Sequence, residues 1–215
     1  MNPAATLGTV LLAYLPAAVS PGPNFVLIAH TAAAGTRRAA VAVALGVVAA
    51  GGVLAAVAVF GLGGVLARAP WLAAALRVVC GGYLAWLGVR LWWQARRSKT
   101  PDRGEESPST RAAALDGDAA PGHFRRGVLS NLTNPKAAAF FGSVLTATLP
   151  PTEPTAVKAA AVALILVVST AWHLSVALLF SAPATQRWYA HAKPTLNRVV
   201  GSILVVLGVA LAVTP

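Results

Sequence analysis

Long apolar runs alternate with short polar clusters along this chain of 215 residues. Six of the runs reach or approach the about 20 residues that a helix needs to cross a bilayer. They cover roughly 5–33, 39–62, 72–94, 124–149, 156–180 and 196–213. The pattern predicts an all-α membrane protein with six transmembrane helices. Helices 1 and 4 are broken. In the first, Ser20-Pro21-Gly22-Pro23-Asn24 parts the apolar sequence ending at Val19 from that resuming at Phe25. In the fourth, Asn131-Leu132-Thr133-Asn134-Pro135-Lys136 interrupts the run between Phe124 and Leu149. Each proline removes a backbone N–H and crowds the preceding turn, and the residue before it is pushed out of the helical region. A break in hydrocarbon frees peptide groups that lipid cannot satisfy, so both breaks must face protein or a wet cavity.

The two halves of the chain resemble each other. Leu76–Leu91 can be laid on Leu196–Leu211, with identities that include Gly81/Gly201, Leu84/Leu204, Gly88/Gly208 and Leu91/Leu211, and Pro23 corresponds to Pro135. Three helices per half is an odd number, so a duplicated half must insert upside down. The expected architecture is two inverted three-helix repeats, 1–97 and 124–215, joined by a flexible cytoplasmic linker at 98–123. That linker holds Asp102, Glu105, Glu106, Asp116 and Asp118, five of the six acidic residues. Thirteen of the seventeen Lys and Arg residues, from Arg37 and Arg38 to Arg187, Lys193 and Arg198, lie in the first, third and fifth connections or their flanks. Only Arg68, Arg77 and Lys158 lie on the opposite side. The positive-inside rule then places those odd connections in the cytoplasm and both termini outside.

Composition narrows the class further. The chain is 57% hydrophobic and 11% charged, with a mean hydropathy of +0.69, outside the range of soluble domains. Its net charge of +11 does not mark a nucleic-acid partner, because the basic residues sit between apolar runs. The single cysteine, Cys80, allows neither an internal disulfide nor a dithiol motif. No basic segment precedes the first run, which continues far past a signal-peptide core and reads as a retained span. Four scattered histidines and no Asp or Glu within an expected span provide no nucleophile–base pair and no metal cluster. Neither an enzyme nor a metal or cofactor site is expected.

Lys136 is the one cation placed within an expected span. Holding a charge there costs about 2.5–3.5 kcal/mol on insertion scales, which marks it as functional. With Ser20, Pro21, Gly22, Pro23 and Asn24 of the first break, and Asn131, Asn134 and Pro135 of the second, it makes up the expected binding site. The half-helices that begin after Pro23 and Pro135 present unpaired N–H groups and positive dipole ends, which suit a carboxylate. Asn131, Thr133 and Asn134 can serve either the freed peptide groups or a ligand. His173, beside Trp172, is the titratable group placed to carry a proton, whereas His30 lies close to Arg37 and Arg38 at the interface. No intramembrane acid offsets a second positive charge, which favours neutral or zwitterionic ligands over basic ones.

Three stretches together carry a family resemblance: Ser20-Pro21-Gly22-Pro23-Asn24, Gly81-Gly82-Tyr83-Leu84-Ala85-Trp86-Leu87-Gly88, and Phe124 through Lys136 followed by Phe140-Phe141. In order and spacing they resemble the lysine-exporter (LysE/RhtB) superfamily of bacterial amino-acid exporters, over nearly the whole chain. The resemblance implies a secondary transporter of the bacterial cytoplasmic membrane that exports an amino acid or close derivative, driven by the proton gradient. The partners expected are a small amino-acid substrate and the lipid bilayer, with a homodimer as a further assembly. The alternatives are export of another small organic metabolite, or a non-transporting scaffold, which would need neither paired breaks nor an intramembrane lysine. Many members carry an acidic residue in the fifth helix shortly before an aromatic. Ser169-Thr170-Ala171-Trp172 has none, which leaves His173 as the coupling candidate.

Overall fold

Proline chemistry makes the first division of the chain. The computed structural model describes residues 2–97, 120–149 and 152–213. Helix α1 (Pro3–Val19) stops at Ser20, whose backbone turns extended (φ −61°, ψ 132°) ahead of Pro21. Helix α2 (Pro23–Ala34) opens with Pro23 in its first turn, where a missing N–H leaves no bond unmade. The two meet at a bend of 52°. Helix α3 (Arg37–Ala56) starts where the Thr36 hydroxyl accepts from the Ala39 N–H, and runs through a π turn (Val57–Leu62) into α4 (Gly63–Arg68). Helix α5 (Pro70–Arg97) follows. The second half holds α6 (Ala120–Leu132), α7 (Pro135–Ala139), a π turn (Phe140–Val144), α8 (Leu145–Thr148), α9 (Thr155–Leu179) and α10 (Pro183–Val213).

Among the described residues, four stretches are long and apolar enough to cross a membrane: Arg37–Gly61, Trp71–Arg96, α9 and α10. The bent pair of α1 and α2 makes a fifth. The fourth expected run does break between Leu132 and Pro135, but into short arms. Its first arm, α6, has 13 residues, about 20 Å of helix, less than the hydrocarbon thickness. Of the linker expected over 98–123, residues 98–119 lie outside the described residues, and 120–123 form the first turn of α6. The last helix corrects a boundary: it begins at Pro183, not near 196, and contains Pro194. Hydropathy marks only the part in hydrocarbon. Pro183 opens the first turn, and polar residues such as Gln186, Arg187 and Lys193 carry the helix on.

Small residues set the closest packing. A Cβ built at Gly81 would lie 2.6 Å from the Gly208 carbonyl oxygen, and one at Gly208 would lie 2.5 Å from that of Gly81. Gly201 meets Gly88 in the same way, at 2.7 Å, and a Cβ at Gly88 would collide with the Gly201 carbonyl. As one partner's number rises the other's falls, so α5 and α10 run antiparallel with backbones almost touching. The indole N–H of Trp92 adds a bond across the pair to Ser202 Oγ, at 3.0 Å. Helices α3 and α6 approach as closely at Gly46 and Gly127, where added Cβ atoms would collide with the Phe124 and Val43 carbonyls.

Apolar burial divides into two clusters. One gathers Val10, Tyr14, Leu84, Phe140, Phe141 and Leu145; the other gathers Phe25, Ile28, Val43, Val47, Val176 and Phe180. Helix α9 shows their order. Val157, Ala161 and Ile165 at its start belong to the first cluster, and Val176 and Ala177 near its end belong to the second. Ser169 and His173, both buried, fall between them on the same helix face.

Candidate functional site

A cavity of about 50 Å³ lies at this polar level. Tyr14, Phe140 and Phe141 of the first cluster line it, as do Phe25 and Val47 of the second. Its polar wall comes from both breaks, through Ser20, Gly22, Asn24, Asn131, Asn134 and Lys136, and from Ser169 and His173 of α9. Pro21, Pro23 and Pro135 are not among the lining residues; their part is to make the breaks. Thr133 is exposed and its hydroxyl bonds the Leu129 carbonyl, away from the cavity.

Lys136 follows the second break and reaches the first. Its Nζ donates to the Ser20 carbonyl oxygen at 3.0 Å and to the Ser20 hydroxyl at 2.5 Å. That hydroxyl in turn donates to the Ala17 carbonyl at 3.0 Å. The ammonium therefore covers the carbonyl end of α1, where the helix dipole is negative. Glycine at position 22 gives it room, since a Cβ there would lie 3.3 Å from Nζ.

A directed chain of amide bonds ties the other arm. Ser130 Oγ donates to Asn24 Oδ1, Asn24 Nδ2 donates to Asn131 Oδ1, and Asn131 Nδ2 donates to the Val47 carbonyl, each at 2.8 Å. Asn24 on α2, Asn131 on α6 and the backbone of α3 are thereby fixed to one another. Gly51 permits this, because a Cβ there would stand 3.2 Å from Asn131 Nδ2.

Open N-termini are expected at both half-helices, and one is found. At α2 the residue before the first turn is Gly22, which has no side chain to cap the N–H groups of Asn24 and Phe25. At α7 the Asn134 Oδ1 accepts from the Lys136 N–H at 3.0 Å, so this end is closed by its own sequence. Asn134 thus serves the backbone.

His173 lies on the cavity beside Lys136. Its Nδ1 stands 2.8 Å from the Ser169 carbonyl and 3.1 Å from the Ser169 hydroxyl. A carbonyl oxygen only accepts, so Nδ1 carries the proton and Nε2 is the acceptor of the neutral ring.

Sequence reasoning missed several of these groups. Tyr14 stands in an unbroken apolar run, where nothing separates a lining residue from a packing one. Ser169 had a weak signal, four residues before His173 on one helix face. Phe140 and Phe141 are adjacent and in an ordinary helix would diverge by about 100°. Both nonetheless lie beside Tyr14, with ring centroids 5.4 and 6.5 Å from it. Glu153 was also missed. It is buried away from the cavity, where its Oε1 accepts from Thr6 Oγ1 of α1 at 3.1 Å. Among the described residues no group of His, Cys, Asp and Glu is placed to hold a metal ion.

Residues 15–214 match the family model of the LysE type translocator. The chain is 30% identical over 206 residues to the threonine efflux protein of Escherichia coli (strain K12), which covers 96% of this chain and 97% of that protein. The threonine efflux protein of Salmonella typhi matches to the same extent. An uncharacterized membrane protein of Escherichia coli (strain K12), YahN, is 32% identical over 187 residues, 86% of this chain and 79% of its own. None of the solved structures matches. With the family model matched from Leu15 to Thr214, this chain belongs to the LysE type translocators and is a transporter, not an enzyme.

Proposed function

We propose that this protein exports a small neutral amino acid across the bacterial cytoplasmic membrane, drawing on the proton-motive force, and that Lys136 holds the substrate carboxylate. The observation that carries the reading is the Lys136 ammonium, placed on the cavity where both broken helices meet, with no acidic residue in the lining. A cation in low dielectric without a counter-charge is an anion site in waiting. The uncapped start of α2 adds a partial positive charge from the same wall. Relatives named for threonine efflux support a small zwitterion with a polar side chain. The cavity of about 50 Å³ has room for a few ordered waters, not for an amino acid, so loading requires the arms of the breaks to part.

The proposed frame is six spans in two inverted three-helix repeats with both termini outside. Reciprocal packing supports it. A two-fold axis in the membrane plane that carries Gly81 to Gly201 and Gly88 to Gly208 turns the Gly81–Gly208 contact into the Gly201–Gly88 contact, and both contacts exist. The same axis pairs Asn24 with Lys136. Each follows the proline of its own break and reaches the end of the helix before the other: Lys136 to Ser20, Asn24 to Ser130 and Asn131.

Counterflow of radiolabelled amino acid in proteoliposomes tests the site. Separating a buried charge from its partner costs roughly 3–5 kcal/mol, which is about two to nearly four orders of magnitude in affinity. Lys136→Gln should nearly abolish counterflow while the protein still inserts, and Lys136→Arg should keep part of it. Normal export by Lys136→Gln, or an amino-acid amide carried as fast as its parent acid by the wild type, would remove the carboxylate site.

A further inference from the structure

We infer that the carbonyl end of α1 at Ser20 is the subsite for the substrate's ammonium group, and that Lys136 occupies it as a placeholder while the cavity is empty. This rests on the reading in which Lys136 takes the carboxylate.

An ammonium needs several acceptors that converge on one point. No Asp or Glu lines the cavity. Asn24 Oδ1, Asn131 Oδ1 and Asn134 Oδ1 each already accept one bond, from Ser130, from Asn24 and from the Lys136 backbone, and have one lone pair left. His173 turns Nδ1 to Ser169 and offers Nε2 alone. Ser20 is different. Its carbonyl and hydroxyl oxygens, on a residue 2% exposed, converge on one point, and an ammonium stands there now. The hydroxyl proton is committed to Ala17, so a lone pair faces that ammonium. Behind Ser20 lie the aligned peptide dipoles of a helix of 17 residues, negative at this end. The rings of Tyr14 and Phe140 line the same cavity.

Charge accounting explains why the ammonium present is a lysine. With Lys136 protonated, the empty cavity holds one positive charge. An α-amino acid carries its carboxylate and ammonium on one carbon. Its ammonium can take the place of Nζ at Ser20 while its carboxylate pairs with the Nζ it displaces. The loaded cavity then still holds one net positive charge. A 2-hydroxy acid brings one uncharged donor where the ammonium would bring a charge and several, so one of the two Ser20 acceptors is left unpaired when Lys136 leaves. An amino-acid amide adds a second positive charge. The site thus selects for both charged ends of a zwitterion. Lys136 crossing from Ser20 to the substrate also unfastens α7 from α1, which is a movement that loading requires.

The test compares three probes in proteoliposome counterflow with the full chain: L-threonine, its 2-hydroxy analogue 2,3-dihydroxybutanoate, and threonine amide. Wild type should prefer threonine strongly over both. Ser20→Ala should lower the threonine-over-hydroxy-acid ratio by about tenfold, the scale of one charge-assisted hydrogen bond, and leave the threonine-over-amide ratio unchanged. Ser20→Thr restores the hydroxyl and should restore the first ratio; Ser20→Cys, of similar size and a weak acceptor, should lose it and stands in if Ser20→Ala does not insert. Ratios within one variant cancel differences in protein amount. An unchanged hydroxy-acid ratio in both Ser20→Ala and Ser20→Cys, or failure of Ser20→Thr to restore it, overturns the subsite. A wild type that carries the amide as well as the acid, or carries none of the probes, overturns the carboxylate reading, and the subsite falls with it.

Discussion

One methyl group at Gly127 should disable export without touching the cavity. A Cβ there would overlap the Val43 carbonyl oxygen and lie 2.9 Å from the Val43 carbonyl carbon and 3.0 Å from the Val47 nitrogen. Restoring ordinary van der Waals distances requires α3 and α6 to part by about 1 Å, and a gap of that size forfeits a quarter to a half of each facing contact. Overpacking of this kind costs about 1–3 kcal/mol. Asn131 stands one turn farther along α6 and holds the Val47 carbonyl at 2.8 Å. A shift of about 1 Å stretches that bond to about 3.8 Å, past bonding range, and Asn24 loses its fixed partner. Gly82→Ala is the control, since nothing lies within 4 Å of the Cβ it would add. Purified in detergent, Gly127→Ala should unfold a few degrees lower, at about 2–4 °C per kcal/mol for a chain of this length. In proteoliposomes its counterflow should fall by up to about tenfold, the scale of the lost Asn131 bond. Gly82→Ala should match wild type in both assays. A Gly127→Ala protein with wild-type midpoint and wild-type counterflow would refute the coupling between helix spacing and site geometry.

The remaining predictions are shorter. Asn131→Ala leaves the Asn24 amide without its acceptor, at a cost of about 1–3 kcal/mol, and should reduce counterflow more than Ser130→Ala, which removes only the donor at the head of the chain. A reporter active only in the cytoplasm should work when inserted within 98–119 and fail at either terminus; the opposite pattern would overturn the inverted arrangement. His173→Gln keeps a donor for the Ser169 carbonyl but cannot titrate, so the pH dependence of export should flatten. A pH profile unchanged from wild type would move coupling to Lys136 or to the substrate.

What the sequence disclosed follows the physics each residue obeys. Pro23 and Pro135 cannot continue a helix, so both breaks were legible, and the residues beside them, Ser20, Asn24, Asn131 and Lys136, do line one cavity. Gly81, Gly88, Gly201 and Gly208 were legible as matching positions of the two halves, but their contacts were not, because a glycine does not say which backbone it admits. Asn134 was ambiguous between cap and ligand until its Oδ1 was seen on the Lys136 N–H. Phe140 and Phe141 both reach Tyr14 although they are adjacent, which no helical period would mark. Glu153 escaped because it precedes the apolar run, yet Thr6 draws it out of water. The last helix ran back to Pro183 because hydropathy measures the solvent around a helix, not its hydrogen bonds.

The two apolar clusters act as insulation. An energised membrane stores work as voltage, and a continuous thread of hydrogen-bonded water through any protein in it would discharge that store. On one side of the chamber the rings of Tyr14, Phe140 and Phe141 pack within 5.3 to 6.5 Å of one another. On the other, Phe25 packs against Phe180 and Tyr189 at 5.3 and 5.0 Å and stacks on Trp172 at 6.5 Å. Rings packed this way interrupt a file of water on either side of the polar groups. Two such barriers in series would let one part while the other still blocks current. Idle copies built so would leave the voltage of their membrane intact.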